Sequence, residues 1–458
     1  MMPFECGDPG RPMRPLPPGG AVPPDPALPS LAEALDPAAM RARFRSLDRE
    51  FADLREVTIE YARYKPGLSC VLEYRLLQDG GGERIFLGRV CTGTTFEALA
   101  AKASATLRST RGKGGIIRLQ PDLRLILTGF PHDRAVKGMR HVLDPDRLKR
   151  ILHRVASRYD PARQWVSGSH SRIDLVTYKP ERCCLVRCDL GIRDRGLRRI
   201  RRETIYARIH GDATGRRVFG LLNDLQACNR ARRADIPVPR PVGYDPDHRI
   251  VFFEEVPGEP MTTLCGNGAF LDAVENSGAL LARLHTAGVV VPRRLRSETL
   301  LDEAREIVDR LFAAGVLEAG ALKLAVERLR ALQPPPSRAG LVCLHGDFHP
   351  GQILANGSSL HCVDFDETGM GGEALDLGYF IAHLRRLVHL RLVNEDTERR
   401  AAERFLAGYA GGGAPLPDPE VVEWHRDLTF LRMALNSLKY LEVGWPGSLR
   451  FYLEGIGR

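Results

Sequence analysis

Residues that could carry acid–base and metal chemistry lie together in one segment, 341–384. An apolar run is followed by Asp347, an amide side chain (Gln352) comes five residues later, and a second carboxylate (Asp364) ends the next apolar run. Two short buried strands that each lead to a carboxylate bring these groups close together, and neighbouring carboxylates need a cation or a proton between them. The spacing therefore predicts a metal site or a carboxyl group with a raised pKa.

Phosphoryl transfer uses side chains of these types in this order. One carboxylate accepts the proton of the attacking hydroxyl, while a second carboxylate and an amide oxygen hold Mg²⁺ against nucleotide phosphates. We therefore predict Asp347 as the catalytic base and Gln352 and Asp364 as the metal ligands. His345-Gly346-Asp347 alone is also typical of an ordinary turn after a strand, so the prediction depends on the joint spacing.

The motifs His345–Gln352, Val363–Asp366 and Ala374–Gly378 together resemble the aminoglycoside phosphotransferase and choline kinase-like family. The resemblance implies a two-lobed, protein-kinase-like α+β fold and the use of ATP and Mg²⁺ to phosphorylate small molecules. It also implies that His345 holds the loop by hydrogen bonds and is not the base. The family's usual motif has Asn where this chain has Gln352, a longer amide that still offers an oxygen.

Three further side chains of the segment have alternative interpretations. Asp366 is either a second carboxylate facing the metal or, as we slightly favour, a residue that stabilises the following turn. Asp376 is either a brace of the catalytic loop or an early-turn carboxylate of the next helix. For His349 we favour a solvent-exposed loop position.

The nucleotide-binding part departs from the usual pattern. No G-x-G-x-x-G motif is present, so we expect the backbone amides of a turn, Lys179–Arg182, to face the phosphates. Arg208 stands where kinases place a phosphate-pairing Lys, and its alternative is an exposed strand position. The helix that follows offers only Asp224 as an acidic partner for Arg208. Glu255 and Val256 resemble the linker whose backbone reads adenine, and the alternative is a plain interdomain turn.

The elements that must position these residues divide the chain into four parts. We predict a disordered Pro/Gly-rich tail (1–37), an N-terminal domain (38–160), a nucleotide-binding small lobe (161–257) and an α-rich catalytic and acceptor-binding lobe (258–458). In the last part, apolar residues at helical spacing predict six helices. These are Phe270–Thr286, Ser297–Ala314, Glu318–Leu332, Leu375–Leu392, Thr397–Tyr409 and Glu420–Val443.

An internal repeat connects the N-terminal domain with the small lobe. Tyr64-Lys65-Pro66 and the strand that begins at Cys70 align without gaps on Tyr178-Lys179-Pro180 and the strand that begins at Cys184. A duplicated strand–turn–strand unit explains this match, and chance similarity between two hairpins is the alternative. If duplicated, the N-terminal copy has no catalytic loop and would be structural or regulatory.

Composition limits the other function classes. The chain has 458 residues and a formal net charge of +9, but the base-rich stretch Arg193–Arg202 contains no aromatic side chain that could stack on a nucleic-acid base. The ten cysteines include no C-x-x-C pair, and an apolar run typical of a secretory signal or membrane span is absent from the sequence. We therefore expect a cytoplasmic location and neither a nucleic-acid nor a membrane partner.

We expect this chain to move the γ-phosphoryl group of ATP to a hydroxyl of a sugar, an aminoglycoside or an amino-alcohol. The alternative is a catalytically weak or inactive kinase-like regulator that binds a nucleotide or another ligand, because Arg208 and Gln352 both replace standard residues.

Overall fold

The computed structural model describes residues 21–109, 117–159, 164–194, 200–231, 235–313 and 340–457, together with the single positions 320, 324 and 327. Residues 1–20 of the predicted tail, the middle of Arg193–Arg202 and most of the predicted helix Glu318–Leu332 lie outside these ranges. The described chain combines antiparallel sheets with helices, so the expectation of an α+β protein is confirmed.

The first β-rich unit is a five-stranded antiparallel sheet with strand order β1-β2-β3-β5-β4. Its helix α2 begins at a proline, and the carboxylate of Asp36 accepts a hydrogen bond from the N–H of Ala38, which caps the first turn. The elements of this unit are α1 (Leu31–Ala34), α2 (Pro37–Leu47), β1 (Leu54–Lys65), β2 (Ser69–Gln78), β3 (Glu83–Cys91), α3 (Gly93–Ser109), β4 (Ile117–Gln120) and β5 (Leu125–Gly129).

The second β-rich unit repeats this plan, with strand order β6-β7-β8-β10-β9. Its helix α5 also begins at a proline and is capped by the preceding aspartate, Asp144. The elements are α4 (Met139–Val142), α5 (Pro145–Val155), β6 (Gln164–Lys179), β7 (Cys183–Asp194), β8 (Ile200–His210), α6 (Thr214–Arg230), β9 (Pro241–Asp245) and β10 (Ile250–Glu254).

One buried contact occurs in both units at corresponding places. In the first unit, Asp25 accepts hydrogen bonds from the hydroxyl of Tyr64 (2.7 Å) and from a backbone N–H of the β1–β2 turn (2.8 Å). In the second unit, Asp133 accepts from the hydroxyl of Tyr178 (2.9 Å) and from a backbone N–H of the β6–β7 turn (2.6 Å). Shared strand order and a shared turn contact are what the predicted duplication requires, and the duplication stays a prediction.

The rest of the described chain is mainly helical. A small sheet of order β11-β13-β14 and a two-stranded pairing of β12 with β15 carry the loops of the predicted site. The elements are β11 (Glu259–Pro260), α7 (Ala269–Thr286), α8 (Ser297–Ala313), β12 (Val342–Leu344), β13 (Ile353–Asn356), β14 (Ser359–Cys362), β15 (Gly369–Gly371), α9 (Ala374–His389), α10 (Glu395–Gly411), α11 (Pro419–Lys439) and α12 (Trp445–Gly455).

Both β-rich units pack against the helical part. The first sheet shares a continuous apolar core with α8, α11 and α12. The second sheet covers α4 and α5 with one face, whereas α6 belongs to the core of the helical part. The rings of Tyr61 on β1 and Tyr440 at the end of α11 lie 6.1 Å apart. In the described part of the chain, no helix is both long and apolar enough to span a membrane.

The prediction of a disordered tail is wrong for residues 21–37. Leu28, Leu31 and Leu35 are almost fully buried in the core of the first unit, and Asp25 makes the turn contact described above. The apolar side chains are few, but they lie within and on either side of the short helix α1 and join the core of the first sheet. Burial against a distant sheet thus orders a segment that its composition did not favour.

Candidate active site

The loop that carries Asp347 follows directly on β12 and is fixed by a buried carboxylate. Asp376, at the start of α9, accepts hydrogen bonds from the backbone N–H groups of His345 (2.8 Å) and Gly346 (2.9 Å). Gly346 has φ of +80°, and a Cβ there would collide with the carbonyl oxygen of Glu367. Of the two interpretations of Asp376, the structure therefore supports the brace of the loop.

His345 ties this loop to the strand end that carries the second carboxylate. Its Nδ1 accepts a hydrogen bond from the N–H of Asp347 (3.2 Å), and its Nε2 lies 3.0 Å from the carbonyl oxygen of Val363. Both ring nitrogens are therefore engaged with backbone, which agrees with a holding role and leaves neither nitrogen for proton transfer.

Asp347 lines a cavity, and two donors orient its carboxylate. The Tyr379 hydroxyl donates to Oδ1 (2.5 Å), and Gln352 Nε2 donates to Oδ2 (3.3 Å). Desolvation raises the pKa of Asp347 to about 6; the Tyr379 hydrogen bond opposes this shift, and the charge of Asp364 adds to it. A carboxylate with a pKa near neutrality is suited to accept a proton from a hydroxyl.

Gln352 and Asp364 flank the two ends of one hairpin. β13 pairs with β14, and the N–H of Val363 donates to the carbonyl oxygen of Gln352 (3.0 Å). The predicted ligands therefore leave the same edge of the small sheet. Because Gln352 Nε2 donates to Asp347, Oε1 remains as the acceptor atom of this amide.

Arg208 joins two carboxylates of this segment. Its Nη2 lies 3.1 Å from Asp364 Oδ1 and 2.5 Å from Asp366 Oδ2. Burial alone would raise the pKa of Asp364, but the charge of Arg208 outweighs it and the pKa is lowered. The interpretation of Arg208 as an exposed strand residue is wrong, because its side chain is only 14% exposed.

Two predictions about this cluster need correction. Asp366 was expected to stabilise the turn that follows it, yet its carboxylate contacts Arg208, and its backbone carbonyl accepts from Arg217 (2.6 Å). The prediction of Asp224 as the acidic partner of Arg208 is wrong, because the carboxylates of Asp364 and Asp366 contact its guanidinium. The acidic partners of Arg208 are therefore distant from it in sequence.

The turn Lys179–Arg182 does not offer its backbone amides to a ligand. The N–H of Glu181 donates to Asp133 (2.6 Å), that of Arg182 donates to the carbonyl oxygen of Lys179 (3.0 Å), and Pro180 has none. The predicted backbone cradle is therefore wrong. The side chains of Lys179 and Arg182 line the cavity and are the cationic groups that this turn supplies.

The linker residues lie apart from these groups. Glu255 is exposed, 3.7 Å from Arg187, and neither Glu255 nor Val256 lines the cavity. Beside them, Tyr206 and Phe253 stack with ring centroids 6.1 Å apart. Tyr206 is two residues before Arg208 on β8 and therefore shares its face of the sheet. Recognition of adenine by the linker backbone stays a prediction.

The cavity has a volume of about 650 Å³ and is bounded by both β-rich units, the catalytic loop and helices α8, α9 and α11. It brings together five of the predicted site residues: Lys179, Arg208, Asp347, Asp364 and Asp366. Gln352 and His345 do not line it but contact Asp347, and Asp376 contacts the backbone of the same loop.

His349 is buried, with 1% exposure, so the expectation of an exposed loop histidine is wrong. Its Nδ1 accepts a hydrogen bond from the N–H of Gly351 (3.0 Å), and its ring stacks on that of His383 (centroids 4.4 Å apart). Burial holds the pKa of His383 well below the usual value, so this stack contains at least one neutral imidazole at neutral pH.

Sequence reasoning missed several residues of the cavity. Tyr379 is three residues after Asp376, and this helical spacing is a signal that both face the catalytic loop. The other missed residues come from the first sheet (Tyr61) and from α11 and its end (Arg432, Lys439 and Tyr440). Their positions carry no local motif, because only the packing of distant elements brings them to the cavity.

Comparisons with known proteins agree with the motifs. Residues 208–425 match the model of the phosphotransferase enzyme family. No curated protein sequence matches the chain.

Solved structures similar to this chain include three kinases of small molecules. The amicoumacin kinase hAmiN, in complex with AMP-PNP, Ca²⁺ and Ami, has 14% identity and a TM-score of 0.46, over 62% of this chain and 87% of its own. Choline kinase from Cryptosporidium parvum has 12% identity and a TM-score of 0.49, over 68% and 95%. Macrolide 2′-phosphotransferase MphH from Brachybacterium faecium has 15% identity and a TM-score of 0.40, over 69% and 98%.

Proposed function

We propose that this chain, whose residues 208–425 match the model of the phosphotransferase enzyme family, transfers the γ-phosphoryl group of ATP to a hydroxyl group of a small molecule. The observation that carries the proposal is the setting of Asp347. Its carboxylate lines a cavity, is held by Tyr379 and Gln352, and has a pKa of about 6.

The residues around Asp364 fit a divalent metal ion. Asp366 Oδ1 is buried and has no hydrogen-bond partner among the described residues, and Gln352 Oε1 is not used by the contact with Asp347. Carboxylate and amide oxygens are the ligands that Mg²⁺ prefers. No group of three or more His, Cys, Asp or Glu arranged for a metal is found in the described chain, so ATP phosphates or water would complete the coordination. When bound, Mg²⁺ would neutralise charge on the phosphates.

Two cationic side chains of the second unit are suited to the phosphates of ATP. Lys179 and Arg208 line the same cavity as Asp347 and come from neighbouring parts of one sheet. Because the turn amides are already occupied, we assign phosphate binding to these side chains and not to the backbone. Glu255 and Val256 remain our candidates for the adenine-binding linker, beside the aromatic pair of Tyr206 and Phe253.

Asp347 performs the proton transfer. The acceptor hydroxyl donates its hydrogen bond to a carboxylate oxygen of Asp347, and its proton moves to that oxygen as the new bond to the γ-phosphorus forms. The bond between the γ-phosphorus and the bridging oxygen of ADP breaks, and ADP leaves. Tyr379 keeps the carboxylate aimed at the acceptor throughout, because its hydroxyl donates to Asp347.

The test is acceptor-dependent release of ADP. The full chain is incubated with ATP, Mg²⁺ and a panel of hexoses, disaccharides, aminoglycosides, amino-alcohols, sugar phosphates and sugar acids. We expect turnover with at least one acceptor and a loss of roughly 10²–10⁴-fold in Asp347→Asn. Asp396→Asn, an exposed position on α10, is the matched control.

Two results would overturn the proposal: equal turnover by Asp347→Asn and the wild type, or ATP binding with no acceptor-dependent ADP release. The second result would identify the chain as a nucleotide-binding protein without catalysis. A direct titration with AMP-PNP separates this case from a chain that does not bind nucleotide.

A further inference from the structure

One end of the cavity carries more positive charge than its carboxylates neutralise. We call this region the cationic end and define it by Tyr61, Arg182, Arg432, Lys439 and Tyr440. Arg432 and Lys439 are seven residues apart on α11, so they lie on one face of that helix, two turns from each other.

The acidic side chains that line the cavity are mostly engaged elsewhere. Glu442 lies 3.5 Å from Arg386, and both side chains are more than nine-tenths buried. Glu367 pairs with Arg293 (2.9 Å), and Glu303 on α8 is exposed to solvent.

The remaining carboxylates of the cavity also have basic partners or lie on other loops. Glu181 is held by Arg63 and Arg89 of the first unit, and Asp364 and Asp366 share Arg208. Asp212 receives the N–H of Thr214 at the start of α6.

The cations of the cationic end have different neighbours. Within the described part of the chain, no carboxylate oxygen lies within 4.0 Å of the charged groups of Arg182, Arg432 or Lys439. Arg182 donates to the Tyr440 hydroxyl (3.0 Å), and the Lys439 ammonium lies 5.2 Å from the centroid of the same ring. The charges of Arg182 and Lys439 are therefore concentrated around Tyr440.

The pKa of the Tyr440 phenol reflects this positive potential. Burial works to raise the pKa of its phenol, yet the charges of Lys439, Arg182 and Lys179 outweigh burial and lower the pKa. Such a potential attracts anions and repels cations.

Tyr61 supplies a second, independent observation. Its side chain comes from the first unit and is only 2% exposed, and it lines the cavity. Its hydroxyl is buried without a hydrogen-bond partner among the described residues. A buried hydroxyl that lacks a partner is costly, and a ligand oxygen at this end would accept its hydrogen bond.

We propose that the phosphoryl acceptor carries an anionic group, a phosphate or a carboxylate, which Arg182, Lys439 and the hydroxyl of Tyr61 bind while its reacting hydroxyl faces Asp347. This inference rests on the proposed function and names its substrate class. Leu300, Ala304 and Ile307 of α8 form an apolar wall of the same cavity, against which the carbon skeleton of the acceptor packs. Polycationic and quaternary ammonium acceptors are disfavoured, because their charge would meet like charges here.

The experiment measures binding separately from turnover. Full-length protein is titrated calorimetrically, at low ionic strength, with glucose 6-phosphate, gluconate, glucose and glucosamine, compounds with closely related skeletons and different charge. We expect glucose 6-phosphate or gluconate to bind at least tenfold more tightly than glucose, and glucosamine to bind least. Comparable or tighter binding of glucose or glucosamine, or no binding of either anion, would overturn the proposal.

Two variants test the residues. Lys439→Gln should weaken binding of the anionic ligand about tenfold or more, and Tyr61→Phe about three- to tenfold. Tyr61→Phe removes only an unpartnered hydroxyl, so the thermal midpoint should stay equal or rise, and weaker binding cannot then be attributed to unfolding. Arg399→Gln, an exposed position on α10, is the charge-matched control and should bind like the wild type.

A titration with AMP-PNP separates the acceptor's anion from the phosphates of the nucleotide. If Lys439→Gln and Tyr61→Phe weaken AMP-PNP and leave the anionic sugar unaffected, the cationic end serves the nucleotide and this inference is wrong. Failure of the proposed function has a different signature: absence of acceptor-dependent ADP release, whatever the calorimetric result.

Discussion

Arg89 on β3 of the first unit forms an ion pair with Glu181 at the tip of the β6–β7 turn of the second unit. Arg89 and Arg208 occupy corresponding positions in their sheets. Arg89 pairs with Val71 and Arg208 pairs with Leu185, and these partners are the second residues of the two aligned strands of the repeat. The same position therefore binds a neighbouring turn in one unit and the carboxylates of Asp364 and Asp366 in the other.

This ion pair makes the first unit a support for the turn that carries Lys179, which we propose as a phosphate-binding residue. Glu181 has φ of +63°, a left-handed conformation that costs a non-glycine residue on the order of 1 kcal/mol. Arg63 (2.9 Å) and Arg89 both hold its carboxylate, and Asp133 accepts its backbone N–H. The contacts fix the conformation of the segment that carries Lys179.

We expect the double variant Arg63→Gln/Arg89→Gln to raise the KM for ATP about three- to tenfold and to change kcat less, because the turn loses its support while Asp347 is untouched. Steady-state kinetics at saturating acceptor provides the measurement. Arg84→Gln, an exposed residue of the same unit that pairs with Glu50, is the control. An unchanged KM for ATP would contradict a supporting role for the first unit.

The pH dependence of the rate should follow the ionisation of Asp347. The base acts only when deprotonated, so kcat/KM should rise with pH and level off above a pKa of about 6. Tyr379 donates to the carboxylate and lowers the pKa of Asp347, so Tyr379→Phe should move the profile to higher pH.

A stopped-rate assay from pH 5 to 9 with wild type and Tyr379→Phe measures this shift. Tyr244→Phe, on β9 beside Phe219, serves as control and should keep the wild-type profile. A profile of Tyr379→Phe that moves to lower pH would contradict the assigned hydrogen bond.

The same carboxyl group should make stability depend on pH. Desolvation raises the pKa of Asp347 from 3.8 to about 6, so the folded chain binds this proton more tightly than the unfolded chain does. Protonation of Asp347 therefore stabilises the fold at low pH, and this contribution is lost as pH rises from about 4 to 6. Above pH 6 the folded chain holds a desolvated negative charge on Asp347, which is unfavourable. Asp347→Asn should therefore raise the thermal midpoint at pH 7.5 and raise it less at pH 5.

Thermal unfolding at both pH values, without nucleotide and with chelator, provides the measurement. Asp79→Asn, in an exposed turn of the first unit, should show no such pH-dependent gain. A destabilised Asp347→Asn at pH 7.5 would mean that the carboxylate is better solvated than its contacts indicate.

Arg208 should determine how strongly the fold depends on a divalent metal. Its guanidinium neutralises Asp364 and Asp366, and a buried pair that loses one partner typically costs about 3 kcal/mol. Arg208→Gln should therefore unfold at lower temperature, and millimolar Mg²⁺ should restore more stability to this variant than it adds to the wild type.

The comparison uses thermal unfolding with and without Mg²⁺. Arg201→Gln, on the same strand and paired with Glu203, controls for the loss of a strand arginine. Equal effects of Mg²⁺ on Arg208→Gln and the wild type would argue that the ion does not bind at Asp364 and Asp366.

The part of the site that sequence could predict is the part built from contiguous motifs. Asp347 follows the short strand β12, whereas Gln352 and Asp364 lie at the two ends of the β13–β14 hairpin, which brings Gln352 beside Val363. Arg208 was identifiable from its place in a strand. These relationships are set by local chain geometry, which residue spacing reports.

The remaining features depend on elements far apart in the chain. Asp133 occupies the amide of Glu181, and no pattern near the β6–β7 turn indicates that partner. Tyr61 reaches the cavity because the first sheet packs against α11, where Tyr440 lies. Tertiary packing decides these contacts, so turn composition and strand periodicity could not reveal them.

Asp376 should contribute more to stability than any exposed carboxylate of the chain. It is fully buried, accepts from the backbone N–H groups of His345 and Gly346, and lies 3.1 Å from His285 Nε2. Asp376→Asn keeps the shape but removes the charge and one acceptor, so we expect a loss of about 3 kcal/mol in the free energy of unfolding, measured by urea titration. Residual turnover of the folded variant should also fall, because the loop that presents Asp347 loses its anchor.

Asp427→Asn, in which a largely buried carboxylate accepts from Gly457 far from the cavity, should lose stability without this effect on kcat. If Asp376→Asn unfolds at the wild-type urea concentration, backbone contacts with the strands alone hold the catalytic loop.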